Sequence, residues 1–119
     1  MDEITIQEFA KADIRVGTIL KAEVPSWSHW VIKLTVDFGK EIGEKIIFSG
    51  IMKFYKPEDL EGKQFPFVVN LKPKKIGPEG DYSNGMLMAV STAKDDKDEE
   101  SKPVLLHLGE KVENGSKVI

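Results

Sequence analysis

Phe65-Pro66-Phe67-Val68-Val69-Asn70-Leu71-Lys72-Pro73-Lys74-Lys75-Ile76-Gly77 changes its chemistry half-way along, from an apolar run to an amide and three ammonium groups within six residues. Strand side chains alternate between faces, so Phe65, Phe67, Val69 and Leu71 belong to one side and Asn70 and Lys72 to the other. The first side is expected in a core and the second in solvent. Pro73 fixes φ and donates no hydrogen bond, which predicts that the strand stops there with Lys74 and Lys75 on its rim. Ser83-Asn84-Gly85-Met86 follows after one short excursion. A polar strand end beside clustered lysines suits a phosphate backbone. Lysine clusters are more often plain solvated surface, so the pattern needs support from the rest of the chain.

Upstream, Thr5-Ile6-Gln7-Glu8 has the spacing of a capping box, and Ile6, Phe9 and Ala10 share one helical face. A short N-terminal helix is expected, ending near Ala12. From Ile14 the period becomes two: Ile14, Val16, Thr18 and Leu20 alternate with Arg15, Gly17, Ile19 and Lys21, and Gly17 predicts a bend or bulge. Pro25-Ser26-Trp27-Ser28-His29-Trp30 reads as a loop. Ile32, Leu34, Val36 and Phe38 then alternate with polar neighbours as a second strand, Gly39 and Gly43 bracket a turn, and Lys45 to Phe48 returns as the hairpin partner. Ile51 to Tyr55 forms a helical turn, and Lys56 to Gly62 has proline at a helix start and glycine at its end. The fourth strand is the apolar run before Asn70, and Gly85 to Ser91 reads as the fifth. Five strands with a helical connector between the third and fourth are compatible with an OB-fold barrel. The fold expected is therefore all-β with short helices: a five-stranded OB-fold barrel carrying an N-terminal helix and a C-terminal β-extension. Residues 1–119 form a single domain, with the helix in 1–12, the barrel in 13–93, and an acidic loop plus the extension in 94–119. Val104 to Leu108 and a terminal Val112 to Ile119 segment with the Asn114-Gly115 turn make up the extension, which must bury itself on the barrel or on another subunit because a lone strand pair is marginal in water.

Composition narrows the functional classes. The 119 residues are 40% hydrophobic and 31% charged, ordinary for a globular domain. The absence of cysteine removes disulfides, thiolate nucleophiles and Cys-based zinc sites. Met1-Asp2-Glu3 is acidic where a secretory signal would be basic, and no stretch approaches the roughly 18 apolar residues of a membrane span, so a cytoplasmic protein without membrane insertion is expected. A net charge of −3 argues against indiscriminate coating of nucleic acid. The charges segregate, however: five carboxylates lie between Lys94 and Lys102, while Lys72 to Lys75 is purely basic. Only Arg15 is arginine among the seventeen basic residues, which favours point-charge contacts with phosphate over bidentate base reading.

Catalytic chemistry finds little support. His29 and His107 have no metal-ligand spacing, Asp37-Phe38-Gly39 lacks any accompanying kinase motif, and the acidic run lacks the glycine and spacing of a calcium loop. No enzyme activity, catalytic residue, metal or cofactor is expected. Trp27 and Trp30 stand in a polar loop, where they could stack bases, fill a partner's pocket or simply cover the barrel end.

Taken in order, Asp13-Ile14-Arg15-Val16-Gly17, Ser49-Gly50-Ile51, Phe54 to Lys63, Asn70 to Lys75 and Ser83-Asn84-Gly85-Met86 resemble the structure-specific tRNA-binding domain found free-standing and appended to methionyl- and tyrosyl-tRNA synthetases. Ile32-Lys33-Leu34 and Asp37 to Gly43 are similar to its CsaA chaperone-like branch, whereas Ser49-Gly50-Ile51 leans toward the synthetase-associated branch. The resemblance implies an OB-fold, homodimerisation and recognition of tRNA by shape. It implies a tRNA-backbone face lined by Lys33, Asn70, Lys72, Lys74, Lys75 and Ser83, with Ser49, Lys53 and Met86 nearby. The partners expected are tRNA, a second copy and an aminoacyl-tRNA synthetase. The alternative is an export chaperone that binds exposed apolar segments of unfolded preproteins in a groove containing Trp27, Trp30 or Phe54. The Pro25 to Trp30 loop departs from the family pattern, and Asn84 stands where glutamine is frequent.

Overall fold

The computed structural model describes residues 1–119. In chain order the elements are α1 (Ile6–Phe9), β1 (Ile14–Glu23), β2 (Ile32–Asp37), α2 (Gly39–Ile42), β3 (Glu44–Ser49), α3 (Pro57–Leu60), β4 (Gln64–Val68), β5 (Lys74–Ile76), β6 (Asp81–Ser83), β7 (Met86–Leu87), β8 (Ala89–Val90) and β9 (Val104–Leu105). Strands β3-β2-β1-β4-β7 form one antiparallel five-stranded sheet, and β5-β6 and β8-β9 form two small ribbons. The sheet nearly closes: the Phe48 amide donates to Ser83 Oγ and the Asn84 amide donates to the Ile46 carbonyl, each at 2.9 Å, tying β3 to the segment that enters β7. This is an OB-fold barrel of the expected class.

Phe38, Phe65, Phe67, Leu34, Ile47 and Leu60 fill the interior, with Phe38 and Phe67 meeting edge to face at 5.3 Å. Each such side chain contributes about 1.5–3 kcal/mol by leaving water. Leu60 comes from α3, so the connector between β3 and β4 caps the barrel as well as joining strands. The alternation expected along residues 32–38 holds through β2, where every second residue is buried.

In β1 the face assignment changes within the strand. Its first half pairs with β4 and its second with β2, and the register slips between Ile19 and Lys21. The extra residue, Leu20, is pushed into solvent, while Ile19 and Ala22 both face the core. The bulge is therefore at Leu20, and Gly17 has a different role. A β-carbon on Gly17 would lie 2.6 Å from Val36 and 2.7 Å from Phe38, so only glycine lets the two core side chains cross the strand there. Beyond the bulge the Ala22 amide donates to a Glu61 carboxylate oxygen at 3.0 Å, replacing the lost strand partner.

Three further boundaries differ from the sequence reading. Strand β4 ends at Val68, ahead of Pro73: its ladder with β1 runs out at the Ile14–Val68 pair, closed by a last bond from the Val69 amide to the Asp13 carbonyl at 2.9 Å. The 85–91 run divides at Met88 into β7, paired with β4, and β8, paired with β9. Between Gly39 and Gly43 lies the single helical turn α2.

The C-terminal segment completes the barrel along the edge of β1 that β2 leaves open. The Val16 amide donates to the Ser116 carbonyl and the Val118 amide to the Ile14 carbonyl, both at 2.9 Å. Asn114 sits at a polar junction, accepting from Thr18 Oγ1 at 2.7 Å and from Gln64 Nε2 at 2.9 Å. By contrast α1, although capped reciprocally by Thr5 and Glu8 as expected, buries none of its residues.

Candidate nucleic-acid interface

Two loops at one end of the barrel meet across β3. The first joins β1 to β2, and Ser28 shapes it: this buried hydroxyl accepts from the amides of Trp30 at 3.1 Å and Val31 at 2.9 Å. The second is the excursion after β4, which folds into the β5–β6 hairpin about the Gly77-Pro78-Glu79-Gly80 turn. Trp27 joins them, with its ring 5.9 Å from Trp30, 6.2 Å from Phe48 and wedged against Gly77.

Between the loops lies a concavity of about 530 Å³ whose apolar surface comes from Trp30, Val31, Phe48, Leu71, Ile76 and Met86 and whose cations are Lys72 and Lys74. No carboxylate lines it. The only ion pairs in the molecule are Arg15–Asp13 and Lys21–Glu23, so neither lysine is neutralised by a protein partner. The hydrogen bond from Asp13 raises the Arg15 pKa above its already high ordinary value and commits that guanidinium elsewhere. Lys33 stands directly across from Phe48 in the β2–β3 register, which puts it on the same side of the sheet. In OB-folds the face of strands two and three and the loops after strands one and four are the surfaces that take oligonucleotides or oligosaccharides. The concavity occupies that place.

Structure thus brings together Lys72, Lys74, Ser83 and Met86 from the anticipated set, together with Trp30, while Lys33 lies beside the concavity as the cross-strand neighbour of Phe48. Ser83 is a buried member whose hydroxyl accepts from Phe48 and donates to the Gly85 carbonyl at 3.3 Å, so its visible work is closure of the barrel. Other members lie apart. Lys75 pairs with Tyr82 on the face of the hairpin opposite Lys74 and Ser83. Ser49 pairs with core residue Ile32 and so turns to the inner side of β3. Lys53 and Phe54 sit in the turn after β3, and Phe54 joins neither tryptophan in an aromatic pair. Asn70 is a tether: its Oδ1 accepts from the Asp13 amide at 2.8 Å and its Nδ2 donates to the Lys11 carbonyl at 2.6 Å. Val31, Phe48, Leu71 and Ile76 were missed: alternation from Ile47 marks Phe48 as an outward residue of β3, and Leu71, expected on the core side, is exposed because β4 has already ended at Val68.

A profile of the family described as "Putative tRNA binding domain" matches residues 14–117. The chain belongs to this tRNA-binding domain family. It is 42% identical to the methionine–tRNA ligase of Clostridium acetobutylicum over 96% of its own length, and 42% identical to that of Archaeoglobus fulgidus over 98%. In both cases the chain spans 16% of the ligase. Among solved structures, a MetRS-related protein from Pyrococcus horikoshii superposes with a TM-score of 0.86 at 42% identity, each chain covered completely. The chaperone CsaA of Bacillus anthracis superposes with a TM-score of 0.81 at 32% identity, covering 99% of this chain and 100% of that one. This tRNA-binding domain therefore has relatives of both branches noted in its sequence. None of its helices is long and apolar enough to cross a membrane. No cluster of three or more His, Cys, Asp or Glu side chains in it could hold a metal ion.

Proposed function

We propose that this domain binds tRNA by shape, without catalysing a reaction, and that Lys33, Lys72 and Lys74 hold phosphates on the face described above. The supporting observation is a concavity at the ligand-binding end of an OB-fold that contains two unpaired lysines and no acid. Lysine ammonium groups are compact charges suited to phosphate and read no base. Identity to a domain carried within methionine–tRNA ligases supports a trans-acting role beside an aminoacyl-tRNA synthetase in the cytoplasm. A homodimer would set two such faces side by side along a longer tRNA surface.

The test is titration of folded tRNA at several salt concentrations against the parent and a Lys72→Ala, Lys74→Ala, Lys75→Ala variant. Each phosphate neutralised contributes roughly −0.7 to −0.9 to the log–log slope. The variant should bind more weakly and lose between one and two units of slope, roughly. A folded variant that keeps the parent's affinity and slope refutes the assignment.

A second reading is favoured by the exposed apolar side chains Trp30, Leu71 and Met86 and by the likeness to CsaA. On that reading the concavity takes an apolar preprotein segment, and binding should be almost insensitive to salt. Purification from cells under mild conditions separates the two by whether structured RNA or peptide accompanies the protein.

A further inference from the structure

We infer that Trp30 is a stacking platform for a single unpaired base, whose adjoining phosphate is held by Lys72 and Lys74. The inference deepens the tRNA reading and rests on it, because it names the kind of nucleotide the concavity takes.

Trp30 is 49% exposed, yet its backbone is tethered at both its amide and its carbonyl and its ring is backed by a second indole. Its amide donates to Ser28 and its carbonyl accepts from the Met52 amide at 3.3 Å. Its ring abuts Trp27 edge-on, at 63° between planes, and Trp27 is itself pinned between Phe48 and Gly77. A ring backed on one edge and carried on a tethered backbone has less freedom to lose on binding, which raises the affinity obtained from a given contact.

The occupant is selected by charge and shape. About 530 Å³ falls within the roughly 300–1,000 Å³ of ordinary ligand clefts. The three other sizeable concavities each contain at least one carboxylate, Glu110 in two of them and Asp37, Glu41 and Glu113 in the third. Only the Trp30 concavity combines an accessible indole with cations and no acid. An apolar peptide has no use for two unpaired lysines, and a duplex keeps its base faces stacked inside. An unpaired nucleotide offers both a π-face and an anion. Phe48 is buried, and Trp27, only partly exposed, stands outside the concavity with its ring against Phe48 and Gly77, so the platform takes one base and not a run of them.

The experiment uses Trp27→Phe, which leaves Trp30 as the sole tryptophan, and follows its fluorescence during titration with a short single-stranded oligoadenylate, a blunt RNA duplex of equal phosphate count, and an apolar peptide. Single-stranded RNA should quench the emission and the duplex should not. In the otherwise unchanged chain, Trp30→Ala should weaken binding of the single strand about tenfold or more with an unchanged salt slope, while Trp30→Phe should retain most of it. Unchanged affinity in a folded Trp30→Ala variant, or quenching by peptide and not by RNA, overturns the inference. If Trp30→Ala does not fold, the quenching titration decides alone. The triple-lysine variant separates the two levels: if it loses tRNA while Trp30→Ala does not, phosphate binding stands and the stacking platform falls.

Discussion

Trp27 and Gly77 touch so closely that a β-carbon on Gly77 would lie 2.5 Å from two atoms of the indole ring, Cη2 and Cζ2. Gly77 also has φ of +72°, a left-handed conformation that side chains disfavour. The contact joins the β1–β2 loop to the β5–β6 hairpin and so couples the two walls of the concavity.

Gly77→Ala should therefore act at both levels. Backbone strain plus displacement of the Trp27 ring should cost roughly 1–3 kcal/mol in urea denaturation. RNA affinity should fall as well, because Trp30 loses its support. A variant as stable and as tightly binding as the parent would show the two loops to be independent.

Lys74 and Lys75 make an internal comparison, being adjacent in sequence and on opposite faces of the hairpin. Lys74→Ala should reduce the salt slope of tRNA binding by about one unit. Lys75→Ala should change it less. Equal effects would place phosphates around both sides of the hairpin.

Asn70→Ala removes two hydrogen bonds to the segment that joins α1 to β1. The expected cost is about 1–2 kcal/mol. Amide exchange at Asp13 should accelerate, and the salt slope should stay unchanged because no charge is lost. A changed slope with normal exchange at Asp13 would instead make Asn70 part of the RNA contact.

The proposed homodimer has a candidate face in α1, where Ile6 is 72% and Phe9 43% exposed on a helix that buries nothing within the chain. Val104 on the C-terminal ribbon is also exposed. Sedimentation should give a dimer at micromolar concentration, and Phe9→Asp should weaken it by placing a charge in an apolar contact. A monomeric parent would refute the proposal.

The acidic loop folds around Asp98, whose carboxylate accepts from Ser101 Oγ at 2.6 Å and from the amides of Lys94, Glu100 and Ser101. The Ser101 hydroxyl, then these amides, hold the Asp98 pKa below its ordinary value of 3.8. A depressed carboxylate stabilises the loop fully above the ordinary value, and that contribution disappears as pH falls through the lower folded value. In an NMR titration Ser101→Ala should move the Asp98 midpoint upward. Replacing residues 94–102 by a Gly-Ser linker should leave RNA binding at least as strong, since the carboxylates repel phosphate. A drop in affinity with the fold intact would assign the loop a direct part in binding.

Features governed by neighbours along the chain could be read without a structure. Thr5 and Glu8 cap α1 through a spacing visible in four residues, β2 follows its alternation, and Pro57 opens α3. The basic run at Lys72 to Lys75 and the family resemblance were equally plain. The anticipated site was legible only as a neighbourhood. Asn70 and Ser83 both belong to it, yet their side chains are committed to the backbone of Asp13, Lys11, Phe48 and Gly85.

Sequence by itself determined the barrel class, the short helices and the presence of a local basic patch in an acidic chain, because periodicity, caps and charge are carried by adjacent residues. Tertiary structure alone decided the bulge at Leu20, the end of β4 at Val68 and the division of Lys74 from Lys75. It also decided the meeting of Trp30 with Met86 across the concavity. Partners far apart in the sequence meet at these places: Glu61 receives the Ala22 amide, Asp13 that of Val69, and Ser83 that of Phe48. Such long-range pairing sets register and face, and a one-residue slip exchanges the core side for the solvent side.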